Sequence, residues 1–226
     1  MKIALFGYGK MGKLIELAAL ERGDEIVGVF TSQQHPLDTL AQADVALDFS
    51  TKEAVINNVL CCAKTHTNLV IGTTGWVEQL PQVKTAIEQA QIGALFSPNF
   101  SLGVLLFLEL LKTSASLFSS FGDYGVTGHE VHHAQKQDAP SGTALAIKAL
   151  LETKLKQVEF SSLRQGSTLG EHTVLFDSIF DTISLQHTAK TRQGYAKGAL
   201  TAANWLRGKQ GFYTIDDFIR GVLYAS

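Results

Sequence analysis

Along the first hundred positions, apolar residues fall in short unbroken runs with amphipathic segments between them. Residues 3–6, 25–30, 43–50, 68–71 and 94–96 are the runs; residues 13–22, a stretch opening near Lys52-Glu53-Ala54 behind a Ser50 or Thr51 cap, and residues 78–89 have helical spacing. Continuous apolar strands alternating with helices predict a parallel, doubly wound sheet. Ligands of such sheets bind beyond the carboxyl ends of the strands.

The pattern changes after residue 101. Residues 102–117 predict a long apolar helix, 124–131 a strand, and 143–155 a helix with Leu145, Leu150, Leu151 and Leu155 inward. Residues 164–166, 170–176 and 181–187 alternate apolar and polar, which predicts an open sheet with helices on one face. Residues 195–206 read as a helix, and 211–218 as a strand or turn and a short helix returning to the first domain. The expected fold is α/β: a Rossmann-like parallel sheet over 1–101 with 206–226, and an α+β substrate and oligomerisation domain over 102–205 with an open mixed or mostly antiparallel sheet. The uncovered face of that second sheet predicts an oligomer.

Composition narrows the class. The 226 residues are 45% hydrophobic and 18% charged with a net charge of -2, which suits a globular protein of one large or two small domains. No basic run points to nucleic acid or a membrane surface. The most apolar run, residues 102–111, is too short to span a bilayer and carries Glu109. Cys61 and Cys62 are adjacent and read as small buried residues of a reducing compartment. With Met1-Lys2 leading straight into a strand, a cytoplasmic location is expected.

The first apolar run is followed at once by Gly7-Tyr8-Gly9-Lys10-Met11-Gly12 and then a helix and a second strand. In that setting a GxGxxG run predicts dinucleotide binding: Gly7 makes the tight turn, Gly9 lets the backbone approach a pyrophosphate, and Gly12 packs helix on strand. Enzymes that use NAD carry Asp or Glu at the end of the second strand, whereas this chain offers Phe30-Thr31-Ser32-Gln33. Without the acid a 2′-phosphate is not repelled, and Thr31, Ser32 and Lys10 could bond one. The expectation leans towards NADPH over NADH, with dual use open.

Residues 129–144 read HEVHHAQKQDAPSGTA. His132 can hold a proton near neutral pH, Lys136 supplies a positive charge, and Ser141 is a good N-cap, leaving the amides of Gly142 and Thr143 for an anion. A small, polyanionic, carbonyl- or imine-like ligand is expected. A capped helix entry with ordinary surface histidines is the plainer alternative. No Cys or carboxylate at ligand spacing supports zinc, and Glu130 stands beside the histidine pair without the HExxH pattern, so no metal is expected.

This run closely resembles the signature of the dihydrodipicolinate reductases, the lysine-pathway enzymes now called 4-hydroxy-tetrahydrodipicolinate reductases. The resemblance covers nearly the whole chain, through Gly72-Thr73-Thr74-Gly75, Ser97-Pro98-Asn99-Phe100, Arg164-x-Gly166-x-x-x-Gly170-x-His172, His187-x-Ala189-x-x-Arg192 and the segment from Ala196 to Leu206. It implies NAD(P)H-dependent reduction of 4-hydroxy-tetrahydrodipicolinate to tetrahydrodipicolinate, with His132 as the proton donor and Lys136 as its electrostatic partner. It further implies that His133, Lys136, Gly142 and Thr143 hold a dicarboxylate substrate. Gly7, Tyr8, Gly9, Lys10, Met11, Gly12, Gly72, Thr73, Thr74, Ser97, Asn99 and Phe100 resemble the cofactor contacts. A homotetramer packed through the second-domain sheet is implied as well. Two features depart from many relatives: Lys10 stands where an Arg is usual in a longer glycine loop, and the chain is shorter. Other two-domain dehydrogenases, such as homoserine or aspartate dehydrogenases, would share the front half without the HHxxK loop. A silent nucleotide sensor would have no reason to keep His132, Lys136 and Thr143 together.

Overall fold

The computed structural model describes residues 1–31 and 36–223. The chain forms two compact units, Met1–Ser101 with Gln193–Ser226, and Leu102–Arg192. In the first unit β1 (Lys2–Phe6) turns through the glycine loop into α1 (Lys10–Glu21), and β2 (Glu25–Phe30) follows. Then come α2 (Leu37–Leu40), β3 (Val45–Asp48), α3 (Val55–Thr65), β4 (Asn68–Ile71), a 3-10 turn at Val77–Gln79, α4 (Leu80–Ala90) and β5 (Gly93–Phe96). Strands β1, β3 and β4 are buried along almost their full length. A parallel strand covered on both faces has no solvent side, which explains why these segments read as unbroken apolar runs.

The second unit consists of α5 (Leu102–Phe118), β6 (Gly125–His132), α6 (Gly142–Glu152), β7 (Glu159–Arg164), β8 (Glu171–Asp177) and β9 (Thr182–Thr188). Its sheet runs β7-β6-β8-β9. Strands β6 and β7 are parallel because α6 crosses between them, and the other pairs are antiparallel. Phe107, Leu111, Ile147 and Leu151 from the helices pack on Val126, Val174 and Phe176 of one sheet face. The opposite face carries no helix among the described residues and presents Leu163, Ser161, Thr127, Ser184 and Gln186 to solvent.

Helix α7 (Gln193–Trp205), β10 (Gly211–Thr214) and α8 (Ile215–Leu223) complete the first unit. The six parallel strands lie in the order β10-β5-β4-β3-β1-β2. Strand order therefore reverses between β1 and β3, the position where doubly wound sheets open a crevice.

Three expectations need correction. The chain rejoins the first unit at Gln193 and not at residue 206: α7 packs on α1, β3 and β4 through buried Ala196, Gly198, Ala199, Ala202 and Ala203. Helical spacing shows that such a face is buried but not against which sheet. Leu145 is 53% exposed, because the inward stripe of α6 is Ala144, Ile147 and Leu151; Leu150 and Leu155 pack partly against that core. Helix α3 starts at Val55 with Ala54 as a cap that makes no side-chain bond, since the Ser50 hydroxyl bonds the carboxylate of Asp48 instead. Among the described residues no helix is long and apolar enough to cross a membrane.

Candidate active site

The reversal point of the first sheet is open. A cavity of about 580 Å³ lies against Gly9, Lys10, Met11, Gly72, Thr73 and Thr74, and a second of about 440 Å³ lies against Gly7, Tyr8, Gly9, Phe30 and Thr31. Phe49, Ser50 and Thr51 line both. Gly7 has φ +86 and its missing side chain would lie 2.4 Å from the Phe49 carbonyl, so only glycine makes this turn. A side chain at Gly12 would lie 2.5 Å from the Gly7 carbonyl, whereas one at Gly9 would meet nothing within 4 Å. Close packing at Gly7 and Gly12 with open space at Gly9 is the cradle a pyrophosphate needs, and no side chain caps the first turn of α1. The residues present therefore fit a dinucleotide.

The wall between β3 and β4 is built on Asp48, a carboxylate with no solvent exposure. It accepts from the Ser50 amide at 3.0 Å and hydroxyl at 2.6 Å, the Thr73 hydroxyl at 2.8 Å, and Asn58 Nδ2 at 2.9 Å. The Thr73 side chain thus braces the wall, and the residue also lines the larger cavity. Ser97 and Asn99 likewise bond within their own turn, and Phe100 is buried against Phe49. Gly12, Ser97, Asn99 and Phe100 are not among the residues lining these two cavities. Thr31 lines one, no acid stands at Phe30-Thr31, and Ser32 lies outside the described residues.

In the second unit, the period of two that buries Val126 and Gly128 on the helix-covered face of β6 also buries Glu130 and His132 there. Cross-strand register sets Ser162 and His172 beside Glu130, His187 beside His172, and Arg164 beside His132. A polar row thus crosses all four strands on the covered face, where a carboxylate must find partners. Glu130 finds four donors: the Ser141 amide at 2.8 Å, the Ser141 hydroxyl, the Ser162 hydroxyl at 2.8 Å and Arg164 Nη2 at 2.8 Å. His132 Nδ1 is 3.2 Å from Glu130 Oε2 but is not aligned for a hydrogen bond, and His172 Nε2 is 3.5 Å from the same oxygen. Glu130, His132 and His172 offer ligand-type atoms within 4.8 Å of one another. With four donors, a guanidinium among them, already on the carboxylate, that set fits a cation poorly.

Ser141 is the N-cap of α6, accepting from the Ala144 amide at 3.1 Å while donating to Glu130. The amides of Gly142 and Thr143 have no acceptor among the described residues, and space beside Gly142 is open. Lys136, the positive charge expected from the sequence, is ion-paired with Asp138 of its own loop at 2.7 Å. His133 is half-buried with Nδ1 unpartnered among the described residues. His132, His133, Lys136, Gly142 and Thr143 belong to one loop and helix start.

Burial pushes the Glu130 carboxyl up, but hydrogen bonds from Ser141, Arg164 and Ser162 outweigh it and hold the group down at about 2. Burial pushes His172 down to about 4, helped by the neighbouring His132 and opposed by Glu130. Burial lowers His132 too, against the pull of Glu130 and with Lys136 and Arg164 adding to the fall. Sequence reasoning set Glu130 aside and assigned no task to Asp48. Glu130 continues the period of two that buries Val126 and Gly128, and Asp48 ends the unbroken apolar run of β3, so burial at both positions is the available signal.

Two family models match this chain: that for the dihydrodipicolinate reductase N-terminus over residues 1–100, and that for the dihydrodipicolinate reductase C-terminus over residues 103–219. A 4-hydroxy-tetrahydrodipicolinate reductase of Christiangramia forsetii is 37% identical, covering 97% of this chain and 98% of its own. One of Thermosipho africanus is 36% identical, with the same coverage of 97% and 98%. One of Methanosarcina barkeri is 35% identical over 85% of this chain and 80% of its own. Among solved structures, a dipicolinate-bound dihydrodipicolinate reductase from Paenisporosarcina sp. TG-14 has the same fold, with TM-score 0.81 at 24% identity, covering 95% of this chain and 97% of its own. An amine dehydrogenase from Mycobacterium smegmatis is more distant in fold, with TM-score 0.65 at 12% identity over 96% of this chain and 95% of its own.

The buried row predicts acid sensitivity. Unfolded, His172 titrates near 6.5 and Glu130 near 4.5; folded, they titrate near 4 and near 2. Between each pair of values the unfolded chain binds the proton that the folded chain refuses. Stability is therefore fully present above pH 6.5, declines as His172 loses its advantage towards pH 4, and declines further from 4.5 towards 2 with Glu130. Every tenfold difference in proton affinity between folded and unfolded chain is worth ~1.4 kcal/mol. Urea unfolding at stepped pH should show midpoints falling across both windows, and a flat profile would contradict the assignment.

Proposed function

The chain belongs to the dihydrodipicolinate reductase family, and on that premise we propose that it reduces 4-hydroxy-tetrahydrodipicolinate to tetrahydrodipicolinate in lysine and diaminopimelate biosynthesis, with His132 as proton donor. The observation that carries the reading is the gathering of His132, Lys136 and the uncapped amides of Gly142 and Thr143 into one loop, in a chain that aligns end to end with reductases of that name.

The substrate carries two carboxylates. One is received by the Gly142 and Thr143 amides, where the N-terminus of α6 adds its dipole. Lys136 exchanges Asp138 for substrate, and His133 adds a donor from the same loop. When bound in the Gly7–Gly12 cradle, a nicotinamide nucleotide supplies the hydride that reduces the conjugated C=C–C=N system left by loss of the hydroxyl as water. His132 delivers a proton from Nε2 to the charge that develops, since Nδ1 faces Glu130. In the free chain its proton affinity is lowered by burial. Arrival of a dianion beside it opposes that burial and loads the donor as the substrate binds.

In an assay that generates the unstable substrate from aspartate semialdehyde, pyruvate and a purified synthase, nicotinamide absorbance should fall only when the synthase is present. His132→Gln and Lys136→Ala should each lower kcat by about a hundredfold with little change in nucleotide affinity; full activity in both would remove the mechanism. NADPH is the preferred reductant on the reading of Phe30-Thr31 without an acid and with Lys10 at the cavity wall. Competing titrations should favour NADPH, and a strong preference for NADH would overturn this part. The open face of the second sheet, with Leu163 half exposed, is taken as the contact of a homotetramer. Sedimentation should give four chains, fewer with Leu163→Asp; a monomeric chain would refute that assembly.

A further inference from the structure

A general acid needs its ring oriented and its charged form supported, and His132 has one neighbour placed to do both. Glu130 lies two residues earlier on β6, on the same face, with Oε2 3.2 Å from His132 Nδ1. The carboxylate has no solvent exposure, so its charge is not dissipated into water. The same Oε2 accepts the Ser141 hydroxyl that caps α6. We propose that Glu130 is a positioning residue of the reaction: one buried carboxylate orients His132 with Nε2 outward, favours its protonated form, and fixes the α6 N-terminus that receives a substrate carboxylate. The inference rests on the reductase reading above and adds to it a residue that reading leaves without a task.

Other features of the site agree. The Nδ1 contact is close but misaligned, as catalytic bonds often are before substrate arrives, and a small ring rotation completes it. A side chain at Gly170 would lie 3.1 Å from His132 Nε2, so glycine there keeps the donating atom clear. The groups around His132 are Glu130 on its own strand, Arg164 on β7, His172 on β8, and Lys136 and Asp138 in the loop. His172 faces the same oxygen but is too deeply buried to compete for a proton at neutral pH. Arg164 binds the other oxygen, Oε1, and Ser162 joins it there. Oε2 is thus left to Ser141 and the two imidazoles, with His132 the one able to charge.

The test reads His132 directly, by NMR titration of its Cε1 proton in the full chain without substrate, alongside the pH dependence of kcat. Glu130→Gln removes the charge and should lower the His132 midpoint by about one pH unit, move the limb on which kcat falls with rising pH to lower pH, and cut kcat at neutral pH about tenfold or more. Ser162→Ala removes a donor to the carboxylate but keeps the charge, and should leave the midpoint in place. Should Glu130→Gln fail to fold, Glu130→Asp withdraws the same charge by one methylene and should move midpoint and kcat the same way by less. An unchanged midpoint in the folded variant, or an equal shift in Ser162→Ala, overturns the proposal. Because the titration needs no turnover, a chain with no reductase activity would sink the reductase reading while the His132 midpoint still decides the electrostatic role of Glu130.

Discussion

A carboxylate taken wholly out of water must be met by donors or it will not stay ionised, and the second unit is arranged to meet that demand at Glu130. Its four donors come from two places: Ser162 and Arg164 on the parallel neighbour strand, and the amide and hydroxyl of Ser141 beyond the loop. The last pair matters most for shape. For Ser141 to reach Glu130, residues 133–140 must leave the end of β6 and fold back over it, and α6 must start at that spot. The start of α6 and the neighbouring strand β7 thus both supply partners to one charge. Arg164 strengthens the closure, since its Nη2 also donates to the Asp138 carbonyl in the same loop.

The first unit applies the same device in a different place. Asp48 ends β3 with no exposure and gathers Ser50, Asn58 and Thr73, which joins the β3 turn to the β4 turn. Those turns form one wall of the cavities at the reversal point, opposite the glycine loop. A cradle for a dinucleotide needs backbone held at fixed distance, and side chains such as Thr73 brace the wall.

The strands and helices, the glycine cradle and the histidine loop were legible in the sequence because each depends on residues close together in the chain. Periods of 2 and 3.6 and the Ser141 cap are local matters. What escaped depends on register. That Glu130 stands beside Ser162 and His172, and His132 beside Arg164, is set by strand pairing across 32 to 42 residues, and no spacing in the sequence encodes it. The same reason explains α7: its alanine face is plain from composition, yet its partners α1, β3 and β4 are far earlier in the chain. Lys136 is the local case, since its ion-pair partner Asp138 stands two residues away.

Placing the proton on one of two buried imidazoles is finally a matter of depth. His132 and His172 stack edge to face with centroids 5.2 Å apart and approach the same carboxylate oxygen. Their surroundings share the charge of Glu130, so charge alone cannot choose between them. His172 lies inside the row, between Glu130 and His187 on the neighbouring strands, where burial keeps it neutral. His132 is the last residue of β6, where the strand gives way to the loop that would hold the substrate. The bare backbone of Gly170 lies beside His132 Nε2, where a side chain would come within 3.1 Å of that atom. On the proposed reading, the strand end thus does what a change of residue type would do elsewhere: it sets His132, and not the otherwise identical His172, at the loop where an acid is needed.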